Sequence, residues 1–317
     1  MNVTPWQPDK SFAPPRRALP FVLGVVILVS LSGCKKKSDA ESGDTTKAAD
    51  RQSIQNIGSD TMVNLAQAWA EQYHEVAPNV SVEVSGGGSG VGVAALINGT
   101  ADVANCSRSL EPDEVSKATQ AAGHAPTEYL VAYDGLAVFV HKDNPLDAIT
   151  IEQLGDIYRE GGTLETWKDL GVAGIPGAKN NEIIRVSRQN NSGTYHYFRE
   201  TVVGSKHDFK QGSLDMNGSK DVVELIAKTP GAIGYSGLGY ATPAVKVLKV
   251  AETEGKPGVD PSITTVLDKT YPIARPLFMY TPGVPAPHVK EYIDWILSEP
   301  GQKIVEETGY VPLPKQK

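Results

Sequence analysis

Three times in this chain a short extended segment ends in a turn of glycine, serine and threonine that feeds a helix-like run. Gly58-Ser59-Asp60-Thr61-Met62 leads into the amphipathic stretch Val63 to Val76. Ser85-Gly86-Gly87-Gly88-Ser89-Gly90-Val91-Gly92 follows Val80 to Val84 and leads into Val91 to Ile97. Ser187-Arg188-Gln189-Asn190-Asn191-Ser192-Gly193-Thr194-Tyr195 opens a helix over Thr194 to Val203. Strands that alternate with helices in this way predict an α/β fold with a largely parallel sheet. Ligands in such folds collect where strand ends meet helix starts.

The three turns share a chemistry. A helix start leaves backbone N–H groups unpaired and carries partial positive charge, so it seats an oxyanion. Ser59, Thr61, Ser89, Ser192 and Thr194 add hydroxyl donors, and the glycines let backbone approach a ligand without a Cβ in the way. Arg188 offers a planar fork of donors suited to phosphate or carboxylate. Each turn alone reads equally well as an ordinary Ser/Thr helix cap. Three of them with one guanidinium describe a site for a small multivalent oxyanion.

The same alternation continues along the chain. Strands are expected at 53–57, 80–85, 102–106, 183–187, 231–235, 245–250 and 271–280. Two more, 128–133 and 136–141, are joined at Asp134-Gly135. Helices are expected at 61–76, 90–99, 112–121, 150–158, 219–229, 289–297 and 301–308. Glu160 to Asn181 reads as a glycine-rich loop region around Trp167.

The net charge of −7, with no basic block beyond Lys35–Lys37, argues against nucleic acid as a partner. Anion binding must then come from local dipoles, not from a global positive field. Of two cysteines, Cys106 sits at an apolar strand end and is expected to be a small buried core residue. No Cys/His spacing suggests a metal site. The six histidines fall in no triad or metal motif, although His196 lies two residues after Thr194. Gly87-Gly88-Ser89-Gly90-Val91 departs from Gly-x-Ser-x-Gly at its last position, and no nucleotide-binding P-loop occurs. Neither a catalytic residue nor a cofactor is expected.

Arg16-Arg17 followed by the apolar run Leu19 to Leu31 has the form of a secretory leader, too short for a comfortable membrane span. It ends in Leu31-Ser32-Gly33-Cys34, which looks like a bacterial lipobox. Residues 1–33 are therefore expected to be a lipoprotein signal peptide, Cys34 the lipidated residue, and 34–51 a disordered tether.

These segments, in this order, resemble the phosphate-binding component of bacterial phosphate ABC transporters, a type II periplasmic binding protein. Asp102-Val103-Ala104-Asn105-Cys106-Ser107-Arg108, Tyr133-Asp134-Gly135-Leu136, Gly231-Ala232-Ile233-Gly234-Tyr235, Tyr271 through Leu277 and Pro300 through Leu313 carry it together with the three turns. The resemblance implies two α/β lobes, 52–132 plus 246–317 and 133–245, hinged around a cleft. It implies that inorganic phosphate meets Thr61, backbone at Met62, Ser89, Arg188, Ser192, Gly193 and Thr194, with Ser59, Asp60, Gly90, Ser107 and Arg108 nearby. One branch of the family has an aspartate where this chain has Ser107, and Asp60 is a possible substitute acceptor for the phosphate proton. The implied setting is a lipid-anchored monomer at the cell envelope, partnered by ABC permease subunits. Binding of another oxyanion or a small organophosphate is the alternative, and a secreted hydrolase is the weaker one.

Overall fold

The computed structural model describes residues 51–315. The expected signal peptide, Cys34 and the tether up to residue 50 lie outside them. Ten strands form one sheet among these residues. They are β1 (Gln52–Gly58), β2 (Val80–Ser85), β3 (Val103–Cys106), β4 (Thr127–His141), β5 (Ala148–Thr150), β6 (Ile184–Arg188), β7 (Leu214–Met216), β8 (Ala232–Gly237), β9 (Val245–Ala251) and β10 (Ala274–Thr281). Their spatial order is β2-β1-β3-β10-β4-β8-β6-β7, with β9 against β4 and β5.

The sheet is mixed. Pairs built on the strand–turn–helix units are parallel: β1 with β2 and β3, and β6 with β7 and β8. Every pair at the centre is antiparallel: β4 runs from one half into the other, with β10 beside its first part and β8 and β9 beside its second. The expected joint at Asp134-Gly135 is no break. One 15-residue strand, β4, pairs with β10 up to Gly135 and with β8 and β9 from Leu136 onward. Strand β9 thus sits with the second half of the sheet, whereas the expected lobe boundary fell at its start.

Helices cover both faces: α1 (Val63–Val76), α2 (Ser89–Ile97), α3 (Pro112–Ala122), α4 (Ile151–Tyr158), α5 (Gly193–Phe198), α6 (Ser219–Lys228), α7 (Ile263–Leu267), α8 (Pro287–Leu297) and α9 (Glu299–Glu307). Their ends follow local chemistry. Thr150 caps α4 by accepting from Gln153 N, and the Gln153 side chain reaches back to Thr150 N. Pro112 and Pro287 occupy first turns, where a missing N–H costs nothing. After α5 the backbone widens into a π-helical turn, Arg199–Gly204.

The first half has its own core, with Met62, Leu65, Trp69, Tyr292, Ile293 and Val305 buried against Val103 and Leu277. Trp69 is fully buried and its Nε1 donates to Gly301 O at 2.8 Å, which ties α1 to α9. Truncating such a residue to alanine costs ~3–5 kcal/mol. The second half packs Tyr158, Trp167, Phe198 and Tyr235 into another cluster, and Phe198 stacks flat on Tyr235. Each half therefore has a core of its own, and β4 is the strand that runs from one into the other, with Tyr133 and Val311 packed against the second core where they meet. Cys106 is fully buried, as expected, and burial pushes its thiol up to about 12.

Candidate functional site

The three Gly/Ser/Thr turns converge at the middle of the sheet. Thr61 lies on a single 3-10 turn, Asp60–Met62, between β1 and α1; Ser89 begins α2; Thr194 lies in the first turn of α5. All three are buried, and Thr61 Oγ1 stands 2.6 Å from Thr194 Oγ1 although 133 residues separate them. Beside them Ser59 Oγ donates to Ser107 Oγ (2.9 Å), and Ser107 N donates to Ser89 Oγ (3.1 Å). Ser107 lies just past β3, so a strand end joins the helix starts in one hydroxyl-lined cluster.

Glycine is required where the two halves touch. Gly88 has φ +99°, and a Cβ there would come within 2.7 Å of Asn191 O. Gly90 N donates to that carbonyl at 3.0 Å, and Asn191 Nδ2 donates to Gly87 O at 2.9 Å. At Gly193 a Cβ would drive into Ser89 Oγ and lie 2.6 Å from Ser107 Oγ. The backbone of one half thus lies against the hydroxyls of the other with no side chain between them.

The guanidinium of Arg188 is fully buried. Its Nη1 donates to Ser219 Oγ (2.9 Å), while Nη2 donates to Asn217 O (2.7 Å) and Asp60 Oδ2 (3.2 Å). Burial draws its proton affinity down from the ordinary arginine value, and the facing Asp60 opposes that. Asp60 also accepts from Gly87 N through Oδ1 (3.0 Å), and Tyr240 Oη donates to Asp60 O (2.6 Å). One aspartate therefore fixes its own turn, the neighbouring glycine turn and the arginine from the other half.

Ser59, Asp60, Thr61, Ser89, Gly90, Ser107, Arg188, Ser192, Gly193 and Thr194 are all in this cluster. Ser192 accepts from Thr194 N and Tyr195 N, which is a helix-cap bond, and its hydroxyl hydrogen stays free to donate elsewhere. Met62 contributes its side chain to the core, and its N–H closes the turn onto Ser59 O. Arg108 is the exception. Its fork points away, onto both Glu114 oxygens at 2.7 Å.

Sequence reasoning missed a second buried cation. Arg275 on β10 meets Asp134 on β4 as a register pair, and both side chains are 0 % exposed. Arg275 Nη2 lies 2.8 Å from Asp134 Oδ2, 3.0 Å from Thr194 Oγ1 and 3.3 Å from Thr61 Oγ1. The available signal was Arg275 as the lone charge of β10 and Asp134 in the apolar middle of β4. Such a charge must be paired when buried.

Among the described residues no helix is long and apolar enough to cross a membrane, and His, Cys, Asp and Glu nowhere gather as a metal site. What the cluster can do is hold a small anion. Hydroxyls, backbone amides and a guanidinium converge from both halves, and the nearby carboxylates are already engaged by cations.

The PBP superfamily domain matches residues 43–300. The chain is 36 % identical over 271 residues to the phosphate-binding protein PstS of Pseudomonas aeruginosa, covering 82 % of this chain and 83 % of that one. It is 31 % identical to the Bacillus subtilis protein of the same name, covering 90 % and 89 %. Among solved structures, a candidate phosphate ABC transporter substrate-binding protein from Clostridium perfringens, with bound phosphate, shares 30 % identity at a TM-score of 0.72. The match covers 83 % of this chain and all of that one. An ABC-type phosphate transport receptor from Vibrio cholerae shares 28 % identity at a TM-score of 0.63, covering 82 % of this chain and 100 % of its own. With its two-body α/β sheet and these relatives, the chain belongs to the PBP superfamily and, within it, to the PstS family of phosphate-binding proteins.

Proposed function

We propose that this chain binds inorganic phosphate outside the cytoplasm, in a cleft between two lobes, and delivers it to an ABC permease for import. The observation that carries this reading is the meeting of Thr61, Ser89 and Ser107 with Arg188 and Thr194 in one buried, donor-rich cluster. The names of its relatives, and the phosphate bound in the Clostridium perfringens protein, support the choice of ligand. We assign the contacts to Thr61, Ser89, Arg188, Ser192, Gly193 and Thr194, with Ser59, Gly90 and Ser107 completing the shell. Following the strand pairing, the lobes are 52–134 with 274–315, and 135–273.

The acceptor for a phosphate proton in this reading is a hydroxyl of Ser59, Ser89 or Ser107, or the Asp60 carboxylate, whose oxygens keep lone pairs beyond those given to Arg188 and Gly87 N. The role is binding alone, and the ligand returns chemically unchanged. Cys34 anchors a monomeric chain to the envelope through lipid; membrane fractionation of a Cys34→Ala chain checks this, and unchanged membrane association would contradict it.

The test is equilibrium binding with phosphate, sulfate and a phosphonate, followed by phosphorus NMR of the released ligand. Phosphate should bind tightest and return intact. Equal affinity for sulfate would reduce the reading to general oxyanion binding, and a changed ligand would overturn the non-catalytic role.

A further inference from the structure

One strand, β4, runs from one half of this protein into the other, and the ion pair that joins it to β10 touches hydroxyls of both halves. Asp134 lies at the end of the β4 segment paired with β10, beside the step where β4 turns to β8 and β9. Arg275 faces it with Nε at 3.1 Å and Nη2 at 2.8 Å from Asp134 Oδ2, while Leu238 N donates to Oδ1 at 3.2 Å. The rest of the fork is spent on the site. Nη1 donates to Ser107 O (3.2 Å), and Nη2 reaches Thr194 Oγ1 and Thr61 Oγ1. Tyr197 covers the guanidinium, whose carbon lies 5.5 Å from the ring centre.

We propose that Arg275 is a positioning residue of the anion site, which sets the direction of the Thr61 and Thr194 hydroxyls from the hinge side. This rests on the phosphate reading of that site. A guanidinium has donors and no acceptor. Lone pairs of both threonine oxygens are therefore occupied from the Arg275 side, and the hydroxyl hydrogens turn away from it. In the arrangement seen here one of those hydroxyls donates to the other across 2.6 Å. An anion entering between them takes both hydrogens, since its oxygens accept where a threonine oxygen accepted before. Asp134 holds the fork and cancels its charge, so the site gains orientation without an added net cation. Fold stability alone does not call for this arrangement, because a buried ion pair is often replaceable by apolar residues at little or no cost.

The experiment is a thermodynamic cycle read by phosphate calorimetry, with melting of the ligand-free proteins as the check on folding. Asp134→Leu with Arg275→Met removes the pair together. In the otherwise unsubstituted chain this should weaken phosphate binding at least about tenfold, ~1.4 kcal/mol. In a Thr61→Val, Thr194→Val background the same replacement should change affinity by less than about twofold, since the groups it acts through are gone. An equal loss in both backgrounds, or no loss in either, overturns the proposal. Should the paired replacement unfold, Arg275→Lys takes its place in the cycle with the same criteria. An unsubstituted chain that binds no phosphate would sink the functional reading instead, which keeps the two failures apart.

Discussion

At the scale of single residues, two arginines named beside the phosphate, Arg188 and Arg108, differ in what they touch. Arg188 is fully buried beside the converging hydroxyls, whereas Arg108 is tied to Glu114 and Ser109 O. Removing a charged partner from a buried anion costs ~3–5 kcal/mol, while losing one hydroxyl bond to a charged group costs roughly 1.5–3 kcal/mol. Arg188→Ala is therefore expected to weaken phosphate affinity at least about a hundredfold. Ser192→Ala should weaken it less, because it removes one neutral donor and no charge, and Arg108→Ala should leave affinity within about threefold. Calorimetry of the three variants decides it, and an Arg108→Ala loss exceeding that of Arg188→Ala would reverse the assignment. Arg188 was legible because it stands in a turn with Ser192 and Thr194. Arg275 was not, since its partners lie 81 to 214 residues away and no local spacing brings them together.

Elements show where local signals were sufficient. Most helices and long strands stand where periodicity and turn residues placed them, to within a few residues, because each has an apolar face and a cap of its own. The three-residue strands β5 and β7 and the five-residue α7 were unread, being too short to carry a period. The largely parallel sheet was read from the strand–turn–helix units, which are parallel. The antiparallel centre comes from two strands whose partners are distant in sequence and leave no local mark.

Helix α3 carries a pH-dependent feature. Burial raises the Glu114 carboxyl, but bonds from Arg108 and from Glu111 N outweigh it and hold the group below its ordinary 4.5. A depressed carboxylate contributes stability that is present above its unfolded value and lost as pH falls through the folded one. Melting followed from neutral pH into the acid range below about 4.5 should show that loss. Glu114→Gln should cost about 1 kcal/mol at neutral pH, as a partly exposed pair does, and flatten the acid slope. An unchanged slope in Glu114→Gln would show that other carboxylates govern it.

At the scale of the whole molecule, two halves with cores of their own, joined by β4 and by the chain's return at Ile273, make a hinged pair of bodies. Polar contacts cross between them, among them Thr61 with Thr194, Asp60 with Arg188, Asn191 with Gly87 and Gly90, and Tyr240 with Asp60 O. Such contacts suit an interface that opens and closes around a ligand by hinge bending. Half of this design could be read in advance, since the three turns named the donors. How the halves meet depends on Gly88 and Gly193, whose missing side chains matter only once both bodies are in place. These donors together are expected to hold one phosphate and to need no metal to do so. Titration calorimetry of the folded domain with phosphate, after chelator treatment, addresses this directly. One tight site per chain at full occupancy without added metal is expected; absence of binding, or binding that returns only when a divalent metal is restored, would overturn this reading.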